Sequence, residues 1–157
     1  MSTIRALRSE DCHGIAAWML RIPLWQRYGL TEEGICKSFE QALQRNEMLV
    51  VAEDESGELR GFAWCVLRGA FARSAYLRLI GVHPDYAGHG LGRILLDYVE
   101  AQACMAGVDL FLLVSDFNVD AQRFYQRQGY QQVGAIPAYV LNDVAELIYY
   151  KKLSAAS

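Results

Sequence analysis

Leu79-Ile80-Gly81-Val82-His83-Pro84-Asp85-Tyr86-Ala87-Gly88-His89-Gly90-Leu91-Gly92-Arg93 runs from an apolar, β-like stretch through a proline turn into glycines and then into the first turn of a helix. Glycines remove the Cβ atoms that keep backbone amides apart, and a helix N-terminus contributes unpaired N–H groups at the positive end of its dipole. Such a turn suits an anion, with about 0.3–2 kcal/mol from the dipole, although glycine spacing alone serves a plain strand-to-helix turn equally well. Two familiar phosphate loops are excluded. A P-loop needs Gly-Lys followed by Ser or Thr, where this chain has Gly92, Arg93 and Ile94. The dinucleotide fingerprint needs a glycine three positions after Gly90, where Arg93 stands, and a hairpin precedes the turn instead of a first βαβ unit.

Beyond the turn, Leu91, Ile94, Leu95, Tyr98 and Val99 recur at helical spacing up to a stop near Gly107. Leu110 to Val114 is a continuous apolar run, as in a strand covered on both faces, and Val119 to Gln128 predicts a short helix ending at Gly129. Tyr130 to Ile136 and Val144 to Leu153 predict two closing strands. Upstream, Ala75 to Val82 is a strand preceded by Met48 to Glu53 and Leu59 to Leu67, joined through Asp54-Glu55-Ser56-Gly57-Glu58 as a hairpin. Thr31 caps a helix carrying Ile35, Phe39 and Leu43 on one stripe. Thr3 to Leu7 predicts the first strand; Ser9 is read as the cap of a helix bearing Ile15, Trp18, Met19 and Ile22, ended by Pro23, with Leu24, Trp25 and Tyr28 forming an aromatic link. The expected order is β-α-α-β-β-β-α-β-α-β-β, within one domain spanning residues 1–157.

Composition bounds the function. The 157 residues, 53% hydrophobic and 21% charged, suffice for a core burying about two-thirds of the unfolded surface. Fifteen Lys and Arg against eighteen Asp and Glu leave a net charge of −3, which gives no general attraction to nucleic acid. No apolar run approaches the roughly 18–20 residues of a membrane span, and Arg5 and Arg8 are followed by Glu10, Asp11 and His13 instead of a secretory core, so the expectation is a cytoplasmic protein without a membrane partner. Cys12, Cys36, Cys65 and Cys104 are scattered, without zinc-ligand spacing, and are expected as buried thiols.

Asn118, Ala121, Phe124-Tyr125 and Gly129-Tyr130 follow directly on the run Leu110 to Val114. With the glycine turn, this second motif resembles the GNAT superfamily of acyl-CoA-dependent N-acetyltransferases, closely over about residues 75 to 131 and in element order over nearly the whole chain. The resemblance implies an α/β (α+β) fold: a mixed, mostly antiparallel sheet with a splayed parallel strand pair, flanked by about four helices. It implies acetyl-CoA as cosubstrate, no metal, and direct attack of a primary amine of a small molecule or peptide on the thioester. Ala87-Gly88-His89-Gly90-Leu91-Gly92 occupies the coenzyme diphosphate loop, with Arg93 beside it. Ile80 and Val82 are implied to meet pantetheine or the acetyl group through backbone atoms, and Gly81 to sit at a local bulge. Asn118 is implied to contact the coenzyme or adjacent backbone, besides serving as a helix cap, and Tyr125 to give a proton to the departing thiolate.

The chain also departs from that pattern. Ala87 stands where the family motif has Gln or Arg, so a side-chain contact to phosphate is missing. His89 is a loop residue able to add to phosphate binding when protonated, whereas His83 reads as structural and His13 sits in a first helical turn with no partner visible. No Asp or Glu lies between Tyr76 and Val82, and Leu113 stands where acetylators of protein N-termini often carry Glu. Asp116, Glu53 and Tyr139 are the remaining base candidates beside water-mediated proton removal. Leu24, Trp25 and Tyr28, with Phe71 and Tyr139, are candidates for an aromatic acceptor wall. The competing class is a non-catalytic acyl-CoA-binding or regulatory module. Nothing in the sequence separates a monomer from a homodimer.

Overall fold

The computed structural model describes residues 1–153. β-branched and aromatic runs form seven strands: β1 (Thr3–Ala6), β2 (Met48–Glu53), β3 (Leu59–Ala70), β4 (Ser74–Val82), β5 (Leu110–Ser115), β6 (Gln131–Ile136) and β7 (Glu146–Lys151). The helices are α1 (Cys12–Met19), α2 (Pro23–Arg27), α3 (Glu32–Gln44), α4 (Leu91–Met105) and α5 (Val119–Arg127), with 3-10 turns at Ser9–Asp11 and Pro84–Tyr86. The strand order is β1-β2-β3-β4-β5-β7-β6. This is the mixed α/β sheet expected, antiparallel in β1–β2, β2–β3, β5–β7 and β6–β7 and parallel in β4–β5. The parallel register covers Ala75 to Leu77 against Leu110 to Leu112, while β4 continues to Val82.

Three readings near the N-terminus need correction. Ser9 lies inside the 3-10 turn and caps nothing; the Asp11 carboxylate instead accepts the Arg8 N–H at 2.7 Å. α1 stops at Met19, before Pro23 is reached, and Pro23 opens α2, because the first turn of a helix does not need the N–H that proline lacks. Leu24 and Trp25 of the supposed aromatic link are therefore helical, and Tyr28 stands at the C-terminal end of α2. Elsewhere the Thr31 hydroxyl accepts the Gly34 N–H at 3.1 Å, as its cap reading requires.

Contacts divide the chain into two units: Met1–Cys65 with Leu79–Val99, and Val66–Arg78 with the segment from Glu100 onward. In the first, Phe62 on β3 takes Trp18, Trp25 and Phe39 around it at ring separations of 5.8, 6.0 and 5.5 Å. Burying such a ring is worth about 1.5–3 kcal/mol before packing is counted. The second buries Ala75, Leu77, Leu110, Leu112, Tyr130 and Tyr149. Cys12, Cys36 and Cys65 are buried as expected, but Cys104 is exposed near the end of α4.

Candidate active site

The glycine turn begins where β4 ends, and packing holds that end still. A Cβ on Gly81 would overlap the Trp25 ring and come within 2.7 Å of Phe62 Cε1, so only glycine lets α2 and β3 close on β4 here. Gly61 on β3 does the same for α4: a Cβ there would stand 2.8 Å from Leu95 Cδ1 and 3.3 Å from Leu91 Cδ2. The following 3-10 turn is tied down through polar groups. His83 N–H donates to Arg60 O at 2.7 Å, Arg21 reaches Asp85 at 2.9 Å, and the Arg60 guanidinium lies 4.1 Å above the Tyr86 ring, whose hydroxyl donates to Glu58 at 2.6 Å. His83 Nδ1 accepts the Asp85 N–H at 3.1 Å, and its ring packs on Trp18 and Tyr86, which makes it a structural residue.

Gly88 and Gly90 have φ of 82° and 80°, the left-handed region that costs other residues about 1–2 kcal/mol. A Cβ at either would meet nothing within 4 Å, so the turn opens to free space. Ile94 N–H closes on Gly90 O at 3.2 Å, and the amides of Leu91, Gly92 and Arg93 form the first turn of α4, where helix geometry supplies no acceptor. The Leu91 side chain is buried against Gly61, so only its backbone can serve a ligand. His89 folds onto its own loop, its Nδ1 being 3.2 and 3.0 Å from the Tyr86 and Ala87 carbonyls. An N–H at Nδ1 meets both acceptors, which commits that nitrogen to the turn. Arg93 is exposed and only 3.9 Å from Asp97, a loose contact that leaves its guanidinium accessible to an anion.

The second motif lies in the other unit. Asn118 Oδ1 accepts the Ala121 N–H at 3.2 Å, capping α5, and Gln122 Nε2 donates to Ser115 O and Asp116 O at 3.2 and 2.9 Å, fixing α5 to the end of β5. Tyr125 is 7% exposed, with Phe124 and Tyr130 rings edge-on at 5.2 and 5.6 Å. Burial pushes its phenol above the ordinary tyrosine range, so it holds its proton at neutral pH.

Several sequence candidates are otherwise engaged. Both oxygens of Glu53 are held by Arg5, at 2.9 and 3.2 Å, which lowers the affinity of this carboxylate for a proton. Asp116 accepts the Ala145 N–H at 3.0 Å. Trp25 belongs to the core and not to an acceptor wall, and Phe71 lies in the β3–β4 turn, at the opposite end of β4 from the glycine turn. There it packs edge-on to Phe111 and helps line a cavity of about 450 Å³ with Arg73, Asp109 and Tyr150. Tyr139 is exposed in the β6–β7 connection. His13 has a partner the sequence did not reveal, Glu32 at 2.8 Å. Among the described residues no group of three or more His, Cys, Asp or Glu is placed to hold a metal ion, and no helix is long and apolar enough to cross a membrane.

The family model described as "Acetyltransferase (GNAT) family" matches residues 9–130, and the chain belongs to that family. It is 34% identical over 93 residues to a mycothiol acetyltransferase of Propionibacterium freudenreichii subsp. shermanii, a match covering 58% of this chain and 30% of the relative. It is 37% identical over 84 residues to the 5-NmdU N-acetyltransferase of Pseudomonas phage PaMx11, covering 54% and 57% respectively. The matches thus span less than two-thirds of either relative. The Salmonella typhimurium protein yncA, solved with its cofactor acetyl-CoA, superposes with a TM-score of 0.78 at 19% identity over 100% of this chain and 96% of its own. That likeness establishes the fold.

Proposed function

We propose that the chain transfers acetyl from acetyl-CoA to a primary amine of a small molecule or peptide by direct attack. The observation that carries this reading is the turn at Gly88 to Arg93, open to free space and leading into α4 from a strand end that Trp25 and Phe62 hold in place. The residues present suit the coenzyme. Amides from Gly88 to Gly92 bind the diphosphate, Arg93 supplies the positive charge that Ala87 lacks, and His89 shapes the turn. Ile80 and Val82 offer backbone groups to the pantetheine arm, with Gly81 giving them their close packing. The end of the β4–β5 register at Leu77 supports this use of β4.

The chemistry requires a neutral amine, a stabilised oxyanion and a proton for sulfur. Tyr125 supplies the last: its burial keeps the phenol protonated at neutral pH, so the donor form is present when negative charge develops on sulfur. Asn118 holds the start of α5 and so the position of Tyr125 along it. The names of the two relatives, a mycothiol acetyltransferase and a 5-NmdU N-acetyltransferase, accord with acetyl transfer, and the reading commits to a primary amine without choosing among acceptors.

The test has two stages. Coenzyme A at about 100 times its dissociation constant should add about 2.7 kcal/mol to unfolding stability, read as a raised melting temperature. Free-thiol release from acetyl-CoA is then screened across alkyl, aromatic and peptide amines. No melting shift would overturn the coenzyme site, while a shift without thiol release from any amine would mark a binding module in place of an enzyme.

A further inference from the structure

Glu146 opens β7 and is only 7% exposed, an uncommon position for a carboxylate. Strand register fixes its surroundings. It pairs with Ser115 of β5 and Ile136 of β6, while Ile148 pairs with Leu113, Tyr150 with Phe111, and Phe111 with Tyr76 of β4. Alternation along each strand places Tyr76, Leu113, Ser115 and Glu146 on one face of the sheet. Tyr149 points to the other face, where its hydroxyl receives the amide of Gln126 from α5 at 3.3 Å. The helix bearing Tyr125 therefore packs on the face opposite Glu146. Tyr76 of β4 lies within electrostatic reach of this carboxylate, and the Asp116 side chain accepts the N–H of Ala145, next to Glu146 in the chain, at 3.0 Å. Tyr76 is raised by burial foremost; Arg78 opposes the rise and Tyr139 and Glu146 add to it, which places these three groups within electrostatic reach of Tyr76.

We propose that Glu146 is the general base of the acetyl transfer, accepting the proton lost by the attacking amine. The inference rests on the acetyltransferase reading above and supplies the base missing from β4 and from position 113. The amine lone pair forms the N–C bond to the thioester carbonyl carbon and the C–S bond breaks. The amine proton passes to the Glu146 carboxylate and the thiolate takes the Tyr125 proton. Glu146 then loses its proton to solvent and Tyr125 regains one, leaving an amide and a free thiol.

The test compares wild type with Glu146→Gln and Glu146→Asp, using acetyl-CoA and the best amine of the screen, across about pH 6 to 9, with coenzyme A affinity measured by calorimetry. Glu146→Gln is expected to lower kcat/KM about 10²-fold at neutral pH, with the coenzyme dissociation constant within about two-fold of wild type. Glu146→Asp should restore part of the rate. If the Gln variant does not fold, the Asp variant decides: a lowered rate with normal coenzyme binding supports the role, and a wild-type rate overturns it. A Gln variant with wild-type rate overturns this inference alone; a wild-type protein that binds coenzyme but acetylates no amine overturns it together with the enzyme reading.

Discussion

Tyr125 is where burial and chemistry meet most directly. A phenol sealed beside Phe124 and Tyr130 keeps its proton beyond the pH at which an exposed tyrosine would lose it, so the donor form is populated throughout the neutral range. Tyr125→Phe preserves the ring contacts and removes only the hydroxyl, so kcat should fall about 10² to 10⁴-fold with coenzyme affinity almost unchanged. Unchanged turnover, measured by thiol release, would remove the assigned role. The wild-type profile should also show no alkaline loss from this group below the ordinary tyrosine pKa of about 10. Gly81 poses a purely steric case. Gly81→Ala drives a methyl group into Trp25 and Phe62, and overpacking of this kind costs about 1–3 kcal/mol, to be read from urea unfolding followed by tryptophan fluorescence. A cost near zero would show that α2 yields easily and does not hold the end of β4.

Among the elements, the turn before α4 is the most open to test. Gly90→Val places a β-branched residue at φ 80°, so the turn must strain or rearrange, and coenzyme affinity should fall at least ten-fold while the buried α4 face of Leu95, Leu96 and Val99 preserves the fold. Calorimetry with coenzyme A reads the first effect and circular dichroism the second; undiminished affinity would mean that the turn is not the anion cradle. This segment was legible from sequence because its signals are local: glycine before a helix, then apolar residues at helical spacing. α3 was legible for the same reason, through its Thr31 cap and apolar stripe. α2 was not, because a proline reads equally as the end of one helix or the first residue of the next, and the choice depends on Trp25 finding Phe62 and Gly81 far along the chain.

For the whole molecule, the seven-strand order and the parallel pair follow the family pattern, yet the placement of a carboxylate on a particular face depends on pairings between distant strands. Glu146 acquires its position from Ser115 and Ile136, and no periodicity around residue 146 announces it. Acid tolerance is likewise a property of the assembled chain. Asp54 is held at about 2 by the Ser56 hydroxyl and the Glu58 N–H, and Glu53 and Asp85 are lowered by Arg5 and Arg21. These folded values lie below those of the unfolded chain, so the stabilisation is fully present above about pH 4 and is lost as pH falls through the folded values. The urea midpoint should therefore drop between about pH 4 and pH 2, and less steeply in Asp54→Asn; a midpoint flat over that interval would contradict the assignment.

β6 lies at one end of the strand order, and its register against β7 slips between Gln132 and Gly134, with Val133 turned out to water. An outermost strand whose rungs fall out of step is a poor template for a second molecule to zip onto. Deleting Val133 would straighten that margin, and the expected penalty would appear first as turbidity in concentrated solution, before any loss of catalysis.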